Sequence, residues 1–306
     1  MALDTTAHDI YRGTSGITLP TDISNEIWAK AQEASVIMRI SPRITLPGRG
    51  LSIPVITGDP TATIVAEATE KPVSNSTFAT KTMTPYKIAV IETFSNEFRR
   101  DLPRLYDELV RRLPGAIGKA FDGYVFGSSS VGTGFDILGG ADAVAIDASG
   151  KTVYEQLLLA MGTVANYGGT LDTWVLSPQG EVALLAETDQ VGRPLFSNSI
   201  ADASLGRILG AEVYRSGSVY KAGTTSPAVA DVLGFAGDFS QTRWGMVEGI
   251  EMAISDQATV NDGSKQLNLW QRNMFAVRVE AEVGFVSNAD SNSKKPIVRL
   301  TRAHAS

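Results

Sequence analysis

The longest periodic stretch of the chain is residues 102–125, LPRLYDELVRRLPGAIGKAFDGYV. Within it, every fourth position carries a large apolar side chain: Leu105, Leu109, Leu113, Ile117, Phe121 and Val125. Charged side chains, among them Lys119 and Asp122, fall between these positions and are expected on the opposite face. The stretch predicts a long amphipathic helix, and Pro114 is expected to kink or split it because proline lacks a backbone N–H and clashes with the preceding turn.

On the N-terminal side of this helix, residues 51–94 have apolar ends and a polar centre. Strand-like segments at 51–56 and 61–66 form one predicted arm, and the alternating residues 87–94 form the other. Between them, residues 67–80 are mostly Glu, Lys, Ser, Asn, Thr and Pro. This pattern predicts a long hairpin whose tip cannot be buried on the core of its own subunit.

On the C-terminal side, the Gly- and Ser-rich residues 127–142 are typical of a loop between domains, and residues 132–137 within them of a flexible connector. A capping box from Thr152 to Glu155 precedes an apolar helix. The signals that follow are a strand at 173–176, a helix at 178–187 and short strands near 212–214 and 232–235. This alternation predicts a small α/β or α+β unit. Strict alternation over residues 274–285 then predicts a strand with one buried face.

Composition excludes several classes of chemistry. The 306 residues are 43% hydrophobic and 20% charged, as in soluble globular proteins, and include no cysteine. Disulfides, thiolate catalysis and cysteine-ligated zinc are therefore excluded. The formal net charge of -6 argues against a protein that coats nucleic acid. No apolar run approaches the ~18 residues of a membrane span, so no membrane partner is expected.

No catalytic, cofactor-binding or metal-binding residue is predicted. The two histidines, His8 and His304, lie near the chain ends rather than on a predicted rigid element. The segment ASGKT at 148–152 resembles the end of a phosphate-binding loop, but Ala145 stands where its first glycine belongs, so helix capping is the preferred interpretation. Irregularly spaced aspartates favour ordinary loop residues over a Ca²⁺ site: Asp136, Asp142 and Asp147.

A group of arginines precedes and enters the long helix: Arg99, Arg100, Arg104, Arg111 and Arg112. Acidic residues at 101, 107 and 108 are interleaved with them. This mixture favours a solvated helix face or ion pairs between subunits over a nucleic-acid site.

The order of these parts resembles the Hong Kong 97-type major capsid proteins of tailed bacteriophages. The segments that carry the resemblance are EATEKP at 67–72, Phe78, Thr82, KIAVIETFSNE at 87–97, TWVLSP at 173–178, GRPL at 192–195, ILGAEV at 208–213, FAGDF at 235–239 and the strand at 275–285. Each motif is weak alone, but the ordered set spans nearly the whole chain.

The resemblance implies an α+β capsid fold with four parts. These are an N-terminal arm (1–34), an extended hairpin loop (50–88), a peripheral domain with a long spine helix (35–49, 89–145 and 261–306) and an axial domain (146–260) at the centre of hexamers and pentamers. The candidate contacts between subunits are the arginine group and the loop residues Glu67, Glu70, Lys71, Phe78 and Lys81.

The implied function is self-assembly into an icosahedral shell around phage double-stranded DNA, without enzymatic activity or cofactor. The expected partners are other copies of the chain, a portal, a separate scaffolding protein and, where the virion carries one, a decoration protein, with non-specific contact to the packaged DNA. The expected location is the virion capsid, after synthesis in the host bacterial cytoplasm. The alternatives are an encapsulin-type cellular shell protein and, more distantly, a soluble oligomeric enzyme.

The sequence departs from the founding member of that family in two respects. That member carries a scaffold-like N-terminal segment, whereas Met1 here leads almost directly into the predicted arm. It also cross-links a loop lysine to an asparagine of a neighbour, and none of the loop lysines (Lys71, Lys81, Lys87) or C-terminal asparagines (Asn288, Asn292) can be matched to that reactive set.

Overall fold

A computed structural model describes residues 35–58, 64–65, 71, 73, 77–96, 102–188, 206–247, 251–261, 266–287 and 295–304. The helices are α1 (Val36–Ile40), α2 (Leu102–Val125), α3 (Val153–Asn166) and α4 (Pro178–Leu185). The strands up to residue 215 are β1 (Arg43–Thr45), β2 (Leu51–Gly58), β3 (Thr77–Met83), β4 (Tyr86–Ser95), β5 (Asp142–Ala145), β6 (Thr173–Leu176), β7 (Arg207–Ile208) and β8 (Ala211–Arg215). The later strands are β9 (Thr224–Thr225), β10 (Ala228–Val229), β11 (Asp231–Gly237), β12 (Thr242–Met246), β13 (Glu251–Ser255), β14 (Thr259–Asn261), β15 (Gln266–Asn268), β16 (Met274–Ser287) and β17 (Ile297–Arg302).

A six-stranded sheet has the order β5-β17-β11-β6-β8-β7. The pairs β5–β17 and β6–β8 are parallel, and the others are antiparallel. Side chains of β6 alternate between two cores: Trp174 and Leu176 pack with α3 and α4, while Val175 joins the core that contains α2. Helices therefore cover both faces of this sheet, with α2 on one face and α3 and α4 on the other.

A second sheet of five strands has the path β1-β12-β16-β13, and β4 also pairs with β16. The predicted alternation on β16 is confirmed. Phe275, Val279 and Phe285 are buried, while Arg278 is exposed and the glutamates beside it are half-buried. The apolar face of this sheet lies against α2 and makes one continuous core with the first sheet.

The C-terminal half of α2 is the element on which both sheets pack. Phe121 and Val125 belong to a single core cluster with Phe235 of the six-stranded sheet and with Trp244 and Phe285 of the five-stranded sheet. The helix runs without a break from Leu102 through Pro114 to Val125, so Pro114 does not split it, and that alternative of the prediction is wrong.

The strand pairing crosses the domain boundaries that the sequence predicted. β17, expected in the peripheral domain, pairs with β11 and β5 in the six-stranded sheet. Conversely, β12 and β13, expected in the axial domain, pair with β16 in the five-stranded sheet. Local patterns locate strands, but partner choice depends on contacts far apart in sequence.

The second arm of the hairpin ends earlier in the chain than predicted, so the hairpin as a whole is shorter. β2 pairs antiparallel with β3, from Leu51 opposite Met83 to Gly58 opposite Thr77. Residues 87–94, expected to be that arm, instead belong to β4 and pair with β16. Alternation is the same in a hairpin arm and in a sheet strand, so the pattern could not distinguish them.

The Gly- and Ser-rich segment at 127–142 packs into the core, contrary to the flexible connector predicted at 132–137. Phe135 and Leu138 are buried in the core, and the Leu138 N–H donates to the carbonyl of Val125 (2.7 Å). A Cβ at Gly139 would lie 2.3 Å from the carbonyl oxygen of Gly127. Glycine is thus required here because two backbone segments pass in contact.

Candidate assembly surfaces

The base of the hairpin is fixed to the body by a small apolar cluster. Met83, at the end of β3, is fully buried against Leu46 and Val286. A Cβ at Gly284 would lie only 2.8 Å from the Met83 Cγ, so the sheet makes room for this side chain by having glycine beneath it. One residue later, the Thr84 N–H donates to the carbonyl of Gly134 (2.8 Å).

A polar cluster surrounds Lys81, which lies on β3 two residues before Met83 and therefore closer to the tip of the hairpin. Its Nζ is 2.5 Å from the Asp136 Oδ2 and donates to the carbonyl of Ser287, also at 2.5 Å. The same carboxylate accepts from the backbone N–H of Ser287 (2.8 Å) and from its hydroxyl (3.2 Å). Lys81 and Asp136 side chains are each 23% exposed, so the pair is partly shielded from water.

Lys295 extends this cluster toward the body. Its Nζ donates to the carbonyl of Ile137 (2.5 Å). Burial lowers the pKa of Lys295; the charge of Asp136 opposes this shift, and the charge of Lys81 adds to it. Two lysines thus share the field of one carboxylate where the hairpin meets the body.

Asp122 joins three parts of the chain inside the core. The sequence assigned it to the solvent face of α2, and that prediction is wrong because the residue is only 1% exposed. Its carboxylate accepts from the Ser35 hydroxyl (2.6 Å) and from the N–H groups of Val36 (2.9 Å) and Ile37 (3.3 Å). The Ser216 hydroxyl, beyond β8, donates to it as well (3.4 Å).

These bonds satisfy the free N–H groups at the start of α1, while the Ser35 hydroxyl accepts from Met38. Burial raises the pKa of Asp122, and its hydrogen bonds, first that from Ser35, oppose the rise. No signal within the helix distinguishes Asp122 from the exposed acids, since its main partners lie more than eighty residues away.

The outer face of α3 is apolar and uncovered in one subunit. The capping box predicted at its start is confirmed, with Thr152 and Glu155 bonded reciprocally. Leu157 and Ala160 face the core, but four large apolar side chains on the helix are 42–54% exposed: Tyr154, Leu158, Leu159 and Met161. Exposed apolar side chains grouped in this way are typical of a contact surface.

The predicted contact residues are found in different settings. Lys71 is exposed, and Phe78 lies on β3 opposite Ile56. Arg104, Arg111 and Arg112 are on α2, and Arg112 is exposed. Lys81 is in the polar cluster of its own subunit. Glu67, Glu70, Arg99 and Arg100 lie outside the described residues, as does the predicted arm at 1–34. The role of this set between subunits remains a prediction.

Of the residues weighed as metal or catalytic candidates, His8 lies outside the described residues, and the others have separate partners. Asp142 accepts from the Tyr167 hydroxyl, and Asp147 accepts from the Ala303 N–H (2.8 Å). His304 Nδ1 lies 2.6 Å from Asp231 Oδ1, on the surface of the six-stranded sheet. Across the described part of the chain, no three His, Cys, Asp or Glu residues are grouped as metal ligands, and no described helix is long and apolar enough to cross a membrane.

Comparison with known families decides among the predicted classes of function. Residues 15–291 match the model of the "Phage capsid family". The chain belongs to the phage capsid family. The prediction of a structural capsid protein is thereby confirmed at the level of the family, and the encapsulin alternative is not favoured.

Relatives in sequence and in structure agree with this membership. The "Probable major capsid protein gp17" of Mycobacterium phage L5 is 31% identical over 305 residues, covering 94% of this chain and 90% of that protein. A solved structure from Mycobacterium phage Adephagia has a TM-score of 0.70 at 22% identity, covering 89% of this chain and 91% of its own. The structure described as "Capsid of empty GTA particle computed with C5 symmetry" has a TM-score of 0.63 at 14% identity, covering 98% and 95%. The predicted Hong Kong 97-type fold is confirmed.

Proposed function

We propose that this phage capsid protein is a major capsid protein, whose copies assemble as hexamers and pentamers into an icosahedral shell around double-stranded DNA. Membership in the capsid family and the similarity to the probable major capsid protein of phage L5 support this proposal. The structural observation that most supports this function is the hairpin, because an extension of this kind is expected only where another subunit lies beneath it.

The hairpin is a sheet of two strands that, within the described residues, pair only with each other. A two-stranded ribbon in water is marginally stable and needs support from another surface. Between the arms, Ile64 and Val73 are almost fully exposed, at 105% and 87%. A neighbouring copy that received the hairpin would cover these apolar side chains and stabilise the ribbon.

The outer face of α3 supports the same proposal independently. The inner face of α3 packs on the six-stranded sheet, which we assign to the axial domain together with α3 and α4. We assign the five-stranded sheet and α2 to the peripheral domain, β2 and β3 to the extended loop, and residues 1–34 to the N-terminal arm. Contacts through α3 would then join copies around the centre of a hexamer or pentamer.

The chain is proposed to act structurally, without catalysis, and to contact packaged DNA weakly. At a net charge of -6 the protein repels polyphosphate overall, so contact must come from local Lys and Arg patches and must weaken with salt. The portal, the separate scaffolding protein, the decoration protein and synthesis in the bacterial cytoplasm remain predictions from the resemblance.

The proposal is tested by shortening the hairpin while keeping its base. Residues 59–76 are replaced by Asn-Gly, which favours a two-residue turn between β2 and β3. We expect a folded subunit, measured by circular dichroism and thermal unfolding, that forms no closed shells in electron microscopy. The matched control replaces only Ile64 and Val73 by Ser in the full-length hairpin, and we expect it to form fewer shells.

Normal shells from the shortened chain would contradict the proposal, since the hairpin would then be dispensable. Shells of the unmodified chain that contain a cargo enzyme instead of DNA would favour the encapsulin alternative.

A further inference from the structure

We propose that the ion pair between Lys81 and Asp136, here called the base ion pair, sets the direction in which the hairpin leaves the subunit. Lys81 then acts as a positioning residue inside its own subunit rather than as a contact to a neighbour. This inference rests on the proposed function, because a hairpin direction matters only if the hairpin reaches another copy.

The hairpin is attached to the body first at Met83. That side chain is buried between Leu46 and Val286, with Gly284 below it. Gly50, where the first arm begins, has φ +86°, and a Cβ there would lie 2.7 Å from the Met83 carbonyl oxygen. The close packing at both arms makes this point the pivot of the hairpin.

The base ion pair lies beyond the pivot on the same face of β3. Residues two apart on a strand point to the same side, so Lys81 faces the body as Met83 does. At ~3.4 Å per residue, Lys81 is about 7 Å and Thr77 about 20 Å from the pivot along β3. Because of this geometry, a displacement of ~1 Å at Lys81 becomes ~3 Å at the end of the arm.

Asp136 is held rigidly and therefore gives Lys81 a fixed target. Its carboxylate accepts from the N–H and hydroxyl of Ser287 at the end of β16, and its own N–H donates to the carbonyl of Phe285 (2.9 Å). The charge of Asp136 also acts on Lys295, whose Nζ donates to the carbonyl of Ile137 (2.5 Å). Removing the charge of Lys81 should free the hairpin, while the Ser287 N–H and hydroxyl continue to donate to the Asp136 carboxylate.

The two attachments differ in kind. The pivot is an apolar contact that salt does not weaken, whereas the base ion pair is partly exposed and is screened by salt. The direction of the hairpin should therefore depend on ionic strength, while its attachment should not. Identical subunits need such adjustable elements if they are to fit both hexamers and pentamers.

The test uses distances between spin labels, which the cysteine-free chain accepts at chosen positions. One label replaces the exposed Ser130 on the body, and the other replaces either the exposed Thr80 or the exposed Val73 of the hairpin. Labelled subunits are diluted with unlabelled ones so that each distance lies within one copy. We compare Lys81→Met, the conservative Lys81→Arg and the control Lys87→Met, which removes a surface ion pair with Glu280 on the same protein.

We expect Lys81→Met to widen the distance distribution at least twofold at Val73 and less at Thr80, while Lys81→Arg and Lys87→Met leave both unchanged. Raising the salt concentration should widen the distribution of the unmodified protein but not that of Lys81→Met. Unchanged distributions in Lys81→Met, or equal effects of Lys87→Met, would overturn the inference. The proposed function is judged separately, by shell formation. It stands if the unmodified chain forms normal shells, whatever the label distances show, and it fails if the unmodified chain forms no shells.

Discussion

The C-terminal half of α2 and the base of the hairpin are attached to the same body by very different contacts. Phe121 and Asp122 are buried among partners from both sheets and from α1. Among the side chains of the hairpin that the structure describes, Met83 is buried and Lys81 forms a partly exposed ion pair. The first region determines whether the subunit folds, and the second determines where an already folded subunit places its extension. Substitutions in the two regions should therefore separate folding from assembly.

The largest effect is expected in the core. Phe121→Ala should lower the free energy of unfolding by about 3–5 kcal/mol, because it leaves a cavity between the two sheets. The control is Tyr124→Ala on the same helix, where the side chain is 52% exposed and the change should be small. Chemical denaturation with circular dichroism measures both. Similar losses in the two variants would contradict the role given to this face of α2.

Met83→Ala tests the pivot of the hairpin. Its effect on the free energy of unfolding of the whole subunit should be smaller than that of Phe121→Ala. A buried methionine replaced by alanine costs about 2–5 kcal/mol, and we expect the lower end because Met83 belongs to a small cluster with only Leu46 and Val286 as buried partners. Shell yield should fall more than the unfolding temperature does. Equal losses of both would mean that the hairpin base belongs to the folding core and that the comparison drawn above is wrong.

Asp122→Asn should cost about 1–3 kcal/mol, because the amide nitrogen faces backbone donors that need an acceptor. The raised pKa of Asp122 adds a pH dependence. Its contribution to stability is full below the unfolded pKa and is lost as the pH rises through the folded pKa. The advantage of the unmodified protein over Asp122→Asn should thus be larger at acidic than at neutral pH.

Asp231 provides a control of opposite sign. A hydrogen bond from the Gly223 N–H, with a further contribution from His304, lowers its pKa. Its contribution is present above the unfolded pKa and is lost as the pH falls through the folded pKa. The advantage over Asp231→Asn should therefore grow with rising pH. Unfolding curves over a pH series that showed the same slope for both variants would refute the assignment.

The smallest effect on stability is expected on the outer face of α3. Leu158→Ser should change the free energy of unfolding by less than about 0.5 kcal/mol, since the residue is largely in water. Its neighbour Leu157 is fully buried, and Leu157→Ser should be strongly destabilising. We expect Leu158→Ser to lower shell yield nonetheless. Unaltered shells from this variant would remove α3 from the set of contacts between copies.

Several elements could be predicted from the sequence because their determinants lie within a few residues. The alternation of β16, the capping box of α3 and the long α2 depend on side-chain spacing alone and are confirmed. The start of the first arm of the hairpin, 51–56, is confirmed, whereas residues 64–65 of its predicted continuation are not in a strand and the second arm was placed too late in the chain. The resemblance supplied the fold and family, which no single pattern carries.

By itself, the sequence determined the long α2, the capping box of α3 and the alternation of β16, and the resemblance carried by its ordered motifs implied the capsid fold. Only the tertiary structure decided which strands share a sheet: β17 lies beside β11 and β5, and β12 lies beside β16. It also decided that Asp122 is buried and that Lys81 bonds within its own subunit, although both residues look like surface charges. The physical reason is that periodicity is set by neighbours along the chain, whereas burial and pairing of a charge depend on donors and carboxylates that only folding brings near.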